Sequence, residues 1–207
     1  MFSNLRFSTL VAFCYVGLVT GVAAQPAEDD VRISGTVQKF ENGIMSISPS
    51  TGIVLRIRFD AGPGIHSMRR AKISDLRAGQ QASVRARSSA AGGMVASQVI
   101  IYEQGAEQGV GGAGVSGASV GGPAQLVGKI TEIGTSAEGP LLSLTYAEGE
   151  RKVSLLKEAI VWIARPASAQ DIRPGAIITI AGRKPQGGEI KVIRASIGPA
   201  GGGNPPL

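Results

Sequence analysis

Apolar and polar positions alternate with a period of two along much of this chain. In Leu55-Arg56-Ile57-Arg58-Phe59 the apolar residues share one face and the arginines the other; Val84-Arg85-Ala86-Arg87 and Ile178-Thr179-Ile180 repeat the pattern. Successive side chains of a strand point to opposite faces, so this alternation predicts half-buried antiparallel strands. The strands are short and separated by Gly and Pro, which predicts small barrels or sandwiches. No segment keeps the 3.6-residue apolar spacing of a long helix, and Ser67–Leu76 has room for one short helical turn.

The pattern occurs twice. Ile33-Ser-Gly-Thr-Val37 is answered by Leu126-Val-Gly-Lys-Ile130, and Gly43–Ile47 by Gly139–Leu144. Val54–Phe59 is answered by Arg151–Leu155, and Met94–Tyr102 by Glu189–Ile197, each final strand following a Gly-Gly turn. Between them stands a repeated phrase, DLRAGQQASVRAR from Asp75 to Arg87 and DIRPGAIITIAGR from Asp171 to Arg183. Ordered correspondences of this kind indicate a tandem duplication. In the phrase, Asp75 and Asp171 are expected to open a short turn by accepting backbone N–H groups two or three residues on. Leu76 and Ile172 are expected to plug one end of a barrel. Ala78-Gly79 and Pro174-Gly175 suit a type II turn, in which Gly takes positive φ. An active-site pair of Asp75 with Arg77 is the competing reading.

These boundaries divide the chain. Residues 1–24 read as a secretory signal: Arg6, an apolar run from Phe7 to Val22, then Val22-Ala23-Ala24 before Gln25, with cleavage expected between Ala24 and Gln25. An uncleaved anchor is the alternative. Cys14 sits inside the apolar run after bulky Phe13, so lipid attachment is not expected; it is the chain's single cysteine, so the mature chain cannot form a disulfide. Residues 25–30 form an acidic tail, 31–103 a first β-domain, 104–125 a linker, 126–198 a second β-domain and 199–207 a disordered Gly/Pro tail. Eight of the eighteen residues from Gly105 to Gly122 are Gly, which predicts a flexible linker. No later apolar run reaches transmembrane length, so no integral membrane segment is expected after cleavage. The predicted fold is all-β: two tandem, small, antiparallel OB-like β-barrels joined by a Gly-rich linker and preceded by a cleaved signal peptide.

The order Gly-Thr-Val, a Gly turn, an alternating strand, Asp-Leu-x-x-Gly and a Gly turn before a terminal strand resembles the secreted bacterial family called domain of unknown function 5666. The resemblance covers 31–103 most clearly and 126–198 less so, where Lys129 replaces Thr36 and Ile172 replaces Leu76. It implies an OB-like barrel and a periplasmic or secreted location. It implies no activity.

Charge and chemistry narrow the function. The chain carries 21 basic and 15 acidic side chains, and the basic excess lies mainly in the first half: ten basic against four acidic residues between Val31 and Glu103. This suits an anionic partner. Metal sites need clustered His, Cys or carboxylates. After residue 25 there is no Cys and one imidazole, His66, in a Gly/Pro-rich stretch where solvent exposure is expected. There is no Gly-x-Ser-x-Gly elbow, no evident carboxylate pair and no phosphate loop. No metal, no cofactor and no catalytic residue is therefore expected, and the protein reads as a non-enzyme; a hydrolytic enzyme using His66 is the third and least favoured reading. Trp162, the only tryptophan, lies in an apolar run and reads as core.

The interaction signal is arginine. Arg56, Arg58, Arg85 and Arg87 are expected to point outward, with Arg69, Arg70 and Lys72 in the adjoining connection. If their strands neighbour each other they make a basic face that can grip carboxylate or phosphate groups. The bland reading is a solvated face that blocks edge-to-edge aggregation. Few aromatics accompany the arginines, and export argues against nucleic acid as partner. The expected function is an exported binding or scaffold protein of the cell envelope that holds an anionic component. The alternative is an accessory subunit docking on an envelope transporter or other protein by strand-edge pairing.

Overall fold

The computed structural model describes residues 29–59, 64–89, 92–106, 114–116, 123–136, 139–146, 149–184 and 189–207. The signal segment, with Cys14, Ala24 and Gln25, lies outside them. Among the described residues no helix is long and apolar enough to cross a membrane.

The alternating segments are strands, as their period demands. In chain order they are β1 (Asp29–Glu41), β2 (Ile44–Ser48), β3 (Leu55–Arg58), β4 (Gly64–Ala71), β5 (Gln81–Ser88), β6 (Met94–Tyr102), β7 (Gly114–Ser116), β8 (Ala124–Ser136), β9 (Gly139–Tyr146), β10 (Gly149–Ala167), β11 (Ile177–Lys184) and β12 (Lys191–Gly198). The only helical turns among the described residues are two 3-10 turns, Ile73–Asp75 and Ala169–Asp171.

Five strands close into a barrel. β8 pairs with β9, β9 with β10, β10 in parallel with β6, β6 with β5, and β5 back with β8. Its interior is filled by Leu126, Ile130, Leu142, Leu144, Leu155 and Val84, all buried. Each such aliphatic side chain contributes about 1.5–3 kcal/mol on leaving water. A second core, with Val37, Met45, Ile47, Ile57, Ile178 and Ile180, lies under β1, β2, β3, β11 and β12 and the start of β4. Around it β1 joins β2 and β11, β11 joins β12, and β12 runs parallel to β4. Among the described residues no ladder joins β3 to β12, so this second set of strands is open on that side.

The pairings correct the expectation that 31–103 and 126–198 each close on their own strands. β1 of the first half pairs with β11 of the second, in a register that sets Ile33 opposite Ile180. β5 of the first half pairs with β8 of the second, setting Val84 opposite Leu126. The two C-terminal hairpins, β5–β6 and β11–β12, are thus exchanged between the halves. The cause is local. β10 is one unbroken strand of 19 residues. At about 3.3 Å per residue it spans roughly 60 Å, too far to stay within one small barrel. It stays paired with β6 as far as Ala164, burying Val161 and Ile163 in the closed barrel; over Val161–Ala167 its other edge pairs antiparallel with β4 (Ile65–Ala71), and the strand delivers the following hairpin to the other core.

Matched details mark the two halves. Ladder irregularities fall between Val37 and Lys39 on β1 and between Ile130 and Glu132 on β8. Others fall between Arg85 and Ala86 on β5 and between Ala181 and Gly182 on β11. Gly35 and Gly128 admit no side chain: a Cβ would stand 2.6 Å from the Ser48 carbonyl oxygen and 2.6 Å from that of Thr145, respectively.

The repeated phrase follows the same exchange. Leu76 (3% exposed) plugs the closed barrel, and Ile172 (4%) plugs the second core. Gly79, at φ +93°, donates its N–H to the Ile130 carbonyl, and Gly175, at φ +84°, donates to that of Val37. The aspartates work in the opposite sense to that expected. Each is the last residue of its 3-10 turn and accepts a backbone N–H from three residues before it, Lys72 for Asp75 at 2.9 Å and Ser168 for Asp171 at 2.8 Å. Arg77 donates to the Ser74 and Leu76 carbonyls, which makes it a brace of the same turn and not the partner of a catalytic Asp75.

The linker and the C-terminal tail, expected to lack structure, are partly ordered, and the acidic tail runs into a strand. Asp29–Asp30 of the acidic tail begin β1. Gly114–Ser116 of the linker add to β8 as β7, and β8 already begins at Ala124. The tail 199–207 folds back, burying Pro205 and Pro206 and placing Pro205 against Gly198.

Candidate functional site

The crossing strands create a surface that neither core uses. Residues that point away from the closed barrel on β6 and β10 (Ile100, Tyr102, Trp162 and Ala164) pack with Met68 of β4 and Ala106 into a small third cluster. Beside it runs a groove of about 660 Å³. Its floor is Ile100, Ile160 and Trp162; Arg32 and Ser34 of β1 and Arg194 of β12 line it, as do Ser83 and Arg85 of β5, Gln98 of β6 and Gln125 of β8. The folded-back tail, Gly203–Leu207, closes one side.

Four guanidiniums converge here. Arg70 of β4 lies over the Trp162 ring, 4.6 Å from its centroid, so the aromatic face is capped by a cation. Burial, and then the neighbouring charges of Arg85 and Arg194, hold the Arg32 guanidinium below its ordinary proton affinity. Arginine remains charged at neutral pH, so the shift records chiefly partial loss of solvent around Arg32 and, after it, crowding of like charge. Among the described residues no Asp or Glu forms an ion pair with Arg32, Arg70, Arg85 or Arg194; the carboxylates that pair do so with Lys39, Arg58, Arg69, Arg165 and Arg183. Neutral hydrogen-bonding groups alternate with the cations. Gln125 Nε2 donates to Ser83 Oγ at 2.8 Å, and the Ser34 and Thr179 hydroxyls lie 3.0 Å apart.

The expected basic face is therefore redrawn. β3 and β5 are not neighbours; the strand order runs β3-β2-β1-β11-β12-β4-β10-β6-β5. Arg85 and Arg70 are brought into the groove. Arg56 and Arg58 sit instead around a separate hollow at the open side of the second core, where Arg58 pairs with Glu189 at 3.5 Å. Arg87 is exposed on β5, past the ladder irregularity. Arg69 approaches Glu103 at 4.0 Å, and Lys72 caps a 3-10 turn. Arg32 and Arg194 take the vacated places. The alternation marks both as outward-facing, and it is the exchange of hairpins that brings Arg194 of β12 to Arg85.

His66 is buried rather than solvated. It lies on β4, its Nε2 is 2.9 Å from the Ala106 carbonyl oxygen, and its ring meets Tyr102 edge-on. Burial pushes the Tyr102 phenol above its ordinary value, against a hydrogen bond from Ser83 that lowers it. Trp162 is buried, as its apolar neighbours suggested, at 3% exposure. Among the described residues no group of three or more His, Cys, Asp or Glu could hold a metal ion. Compared with protein-family models, with curated proteins and with solved structures, the chain matches none.

Proposed function

We propose that this protein is an exported, non-catalytic binding module of the cell envelope that holds an anionic polymer in the groove between its two cores. The observation that carries the reading is the convergence of Arg32, Arg70, Arg85 and Arg194 on one concave surface, with no carboxylate among the described residues paired to them. Like charges brought together cost stability, and an anion that bridges them offsets that cost. Arginine forks grip carboxylate or phosphate oxygens in pairs, which suits a repeating anion. Export rests on the signal-like first 24 residues, and the resemblance to a secreted family agrees with it.

The test is retention of residues 25–207 on an envelope extract at low and high salt. The comparison is a triple variant, Arg32→Ser with Arg85→Ser and Arg194→Ser, and a control, Arg56→Ser with Arg58→Ser and Arg87→Ser. Binding that weakens in salt and in the first variant, but survives in the control, is the expected result. Equal binding by all three proteins overturns the reading. It would favour a second one, docking on a protein by strand addition at β3, which ends the strand order beside exposed Ile53 (70%) and Val54 (54%).

A further inference from the structure

Resting on that reading, we infer that the anionic polymer is an acidic polysaccharide, recognised sugar by sugar and not by charge alone. The groove offers three kinds of surface at once. Guanidiniums stand at Arg32, Arg85 and Arg194. Between them stand neutral donors and acceptors, Ser34, Ser83, Gln98 and Gln125, where a site for bare charge would need none. The floor is apolar, with Ile160 (37% exposed) offered to a ligand above buried Ile100 and Trp162. An acidic pyranose presents the matching three: a carboxylate, ring hydroxyls and a C–H face. Inorganic polyphosphate presents only the first. Single-stranded nucleic acid needs open aromatic faces for its bases, and the one tryptophan is 3% exposed with Arg70 over its ring. The volume, about 660 Å³, falls in the range of roughly 300–1,000 Å³ that encloses a small ligand. The groove therefore grips a short oligosaccharide stretch of a longer chain. Half-buried Gln98 and Gln125 are the residues that read hydroxyls; the arginines read acid groups.

Calorimetric titration of residues 25–207 tests this with four probes at matched anion concentration: oligogalacturonate, inorganic polyphosphate, poly-glutamate and phosphatidylglycerol vesicles. The proteins compared are the wild type, Gln98→Ala with Gln125→Ala, and the triple arginine variant above, each checked for unchanged circular dichroism. Oligogalacturonate is expected to bind tightest. The glutamine variant is expected to weaken it by about tenfold, the worth of one to two hydrogen bonds, while leaving polyphosphate within about twofold. The arginine variant is expected to weaken both. Polyphosphate, poly-glutamate or vesicles binding as tightly as the uronate, with no effect of the glutamines, overturns the saccharide inference and leaves an anion groove standing. Binding of every probe that ignores the arginine variant, or no binding of any, removes the groove itself as the site.

Discussion

The exchange of hairpins can be tested with one covalent bond. Ser34 of β1 lies opposite Thr179 of β11, and their hydroxyl oxygens are 3.0 Å apart. Directly opposed residues of an antiparallel pair have Cα atoms about 4.5–5.5 Å apart, inside the span a disulfide bridges. The double variant Ser34→Cys with Thr179→Cys should therefore oxidise within one chain. The two positions are separated by 145 residues. Closing a loop of that length lowers the entropy of the unfolded chain by an amount worth about 5 kcal/mol at 25 °C, less any strain at the bridge. For a protein of this size that corresponds to a rise in melting temperature of roughly 10–20 °C in the oxidised form over the reduced form. The assay is peptide mapping of the oxidised monomer, followed by thermal unfolding with and without reductant. The control pair is Ile33→Cys with Val84→Cys. If each half closed on itself, those two positions would face each other; here they pack with different cores. A bridge between 33 and 84 in the monomer, with free thiols at 34 and 179, would refute the exchange.

Other consequences are as direct. Leu76→Ala and Ile172→Ala each remove a plug from a different core and should cost about 2–5 kcal/mol in chemical denaturation, with little change in the 3-10 turns, which are held by backbone contacts. Gly35→Ala and Gly128→Ala press a methyl group onto a backbone carbonyl of the facing strand, and each should cost about 1–3 kcal/mol. The Asp171 carboxyl is held below its ordinary value by the Ser168 backbone N–H, then by the Ser168 hydroxyl. A carboxylate with a depressed folded value adds stability above its unfolded pKa, near 4, and loses it as pH falls. Wild type and Asp171→Asn should therefore differ in melting temperature at pH 7 and converge on acidification; a constant difference would contradict the assignment. Arg32→Ser removes one of the crowded cations, so it should leave the melting temperature unchanged or slightly raised while ligand retention falls.

What was legible in the sequence was what is local. A period of two gave the strands, and Asp-x-x-x-Gly gave the turn with its apolar plug and positive-φ glycine, because each depends on residues within a few positions. The partner of each hairpin was not legible. β5–β6 and β11–β12 carry the same alternation and the same ladder irregularity, so either satisfies β1 or β8 equally well by pattern. A decisive feature is the unbroken length of β10, hidden because Lys157 and Glu158 interrupt its apolar run without ending the strand. The aspartates were placed at the turn but in the wrong sense, since a short acceptor reaches backward as easily as forward. His66 looked exposed from its Gly and Pro neighbours; its burial comes from Tyr102 and Ala106, more than thirty residues away.

The groove explains why the exchange matters for function. Arg32 and Arg85 come from the first half, Arg194 and Gln125 from the second, and Arg70 and Trp162 from the two strands that cross between the cores. Had each half closed on itself, the register would have placed β1 beside β5, and β11–β12 beside β8, leaving no β4–β10 crossing to supply the floor. Arg32 would still face Arg85 across β1 and β5, but Arg194 and Gln125 would lie on a separate surface. Brought together, the arginines repel one another. Within one chain such a cluster is a cost with no partner. On the binding reading proposed above, an acidic chain lying along the groove would offset that cost. The repeated phrase supports the exchange: each copy anchors its hairpin on the other half's first strand, through Gly79 to Ile130 and Gly175 to Val37.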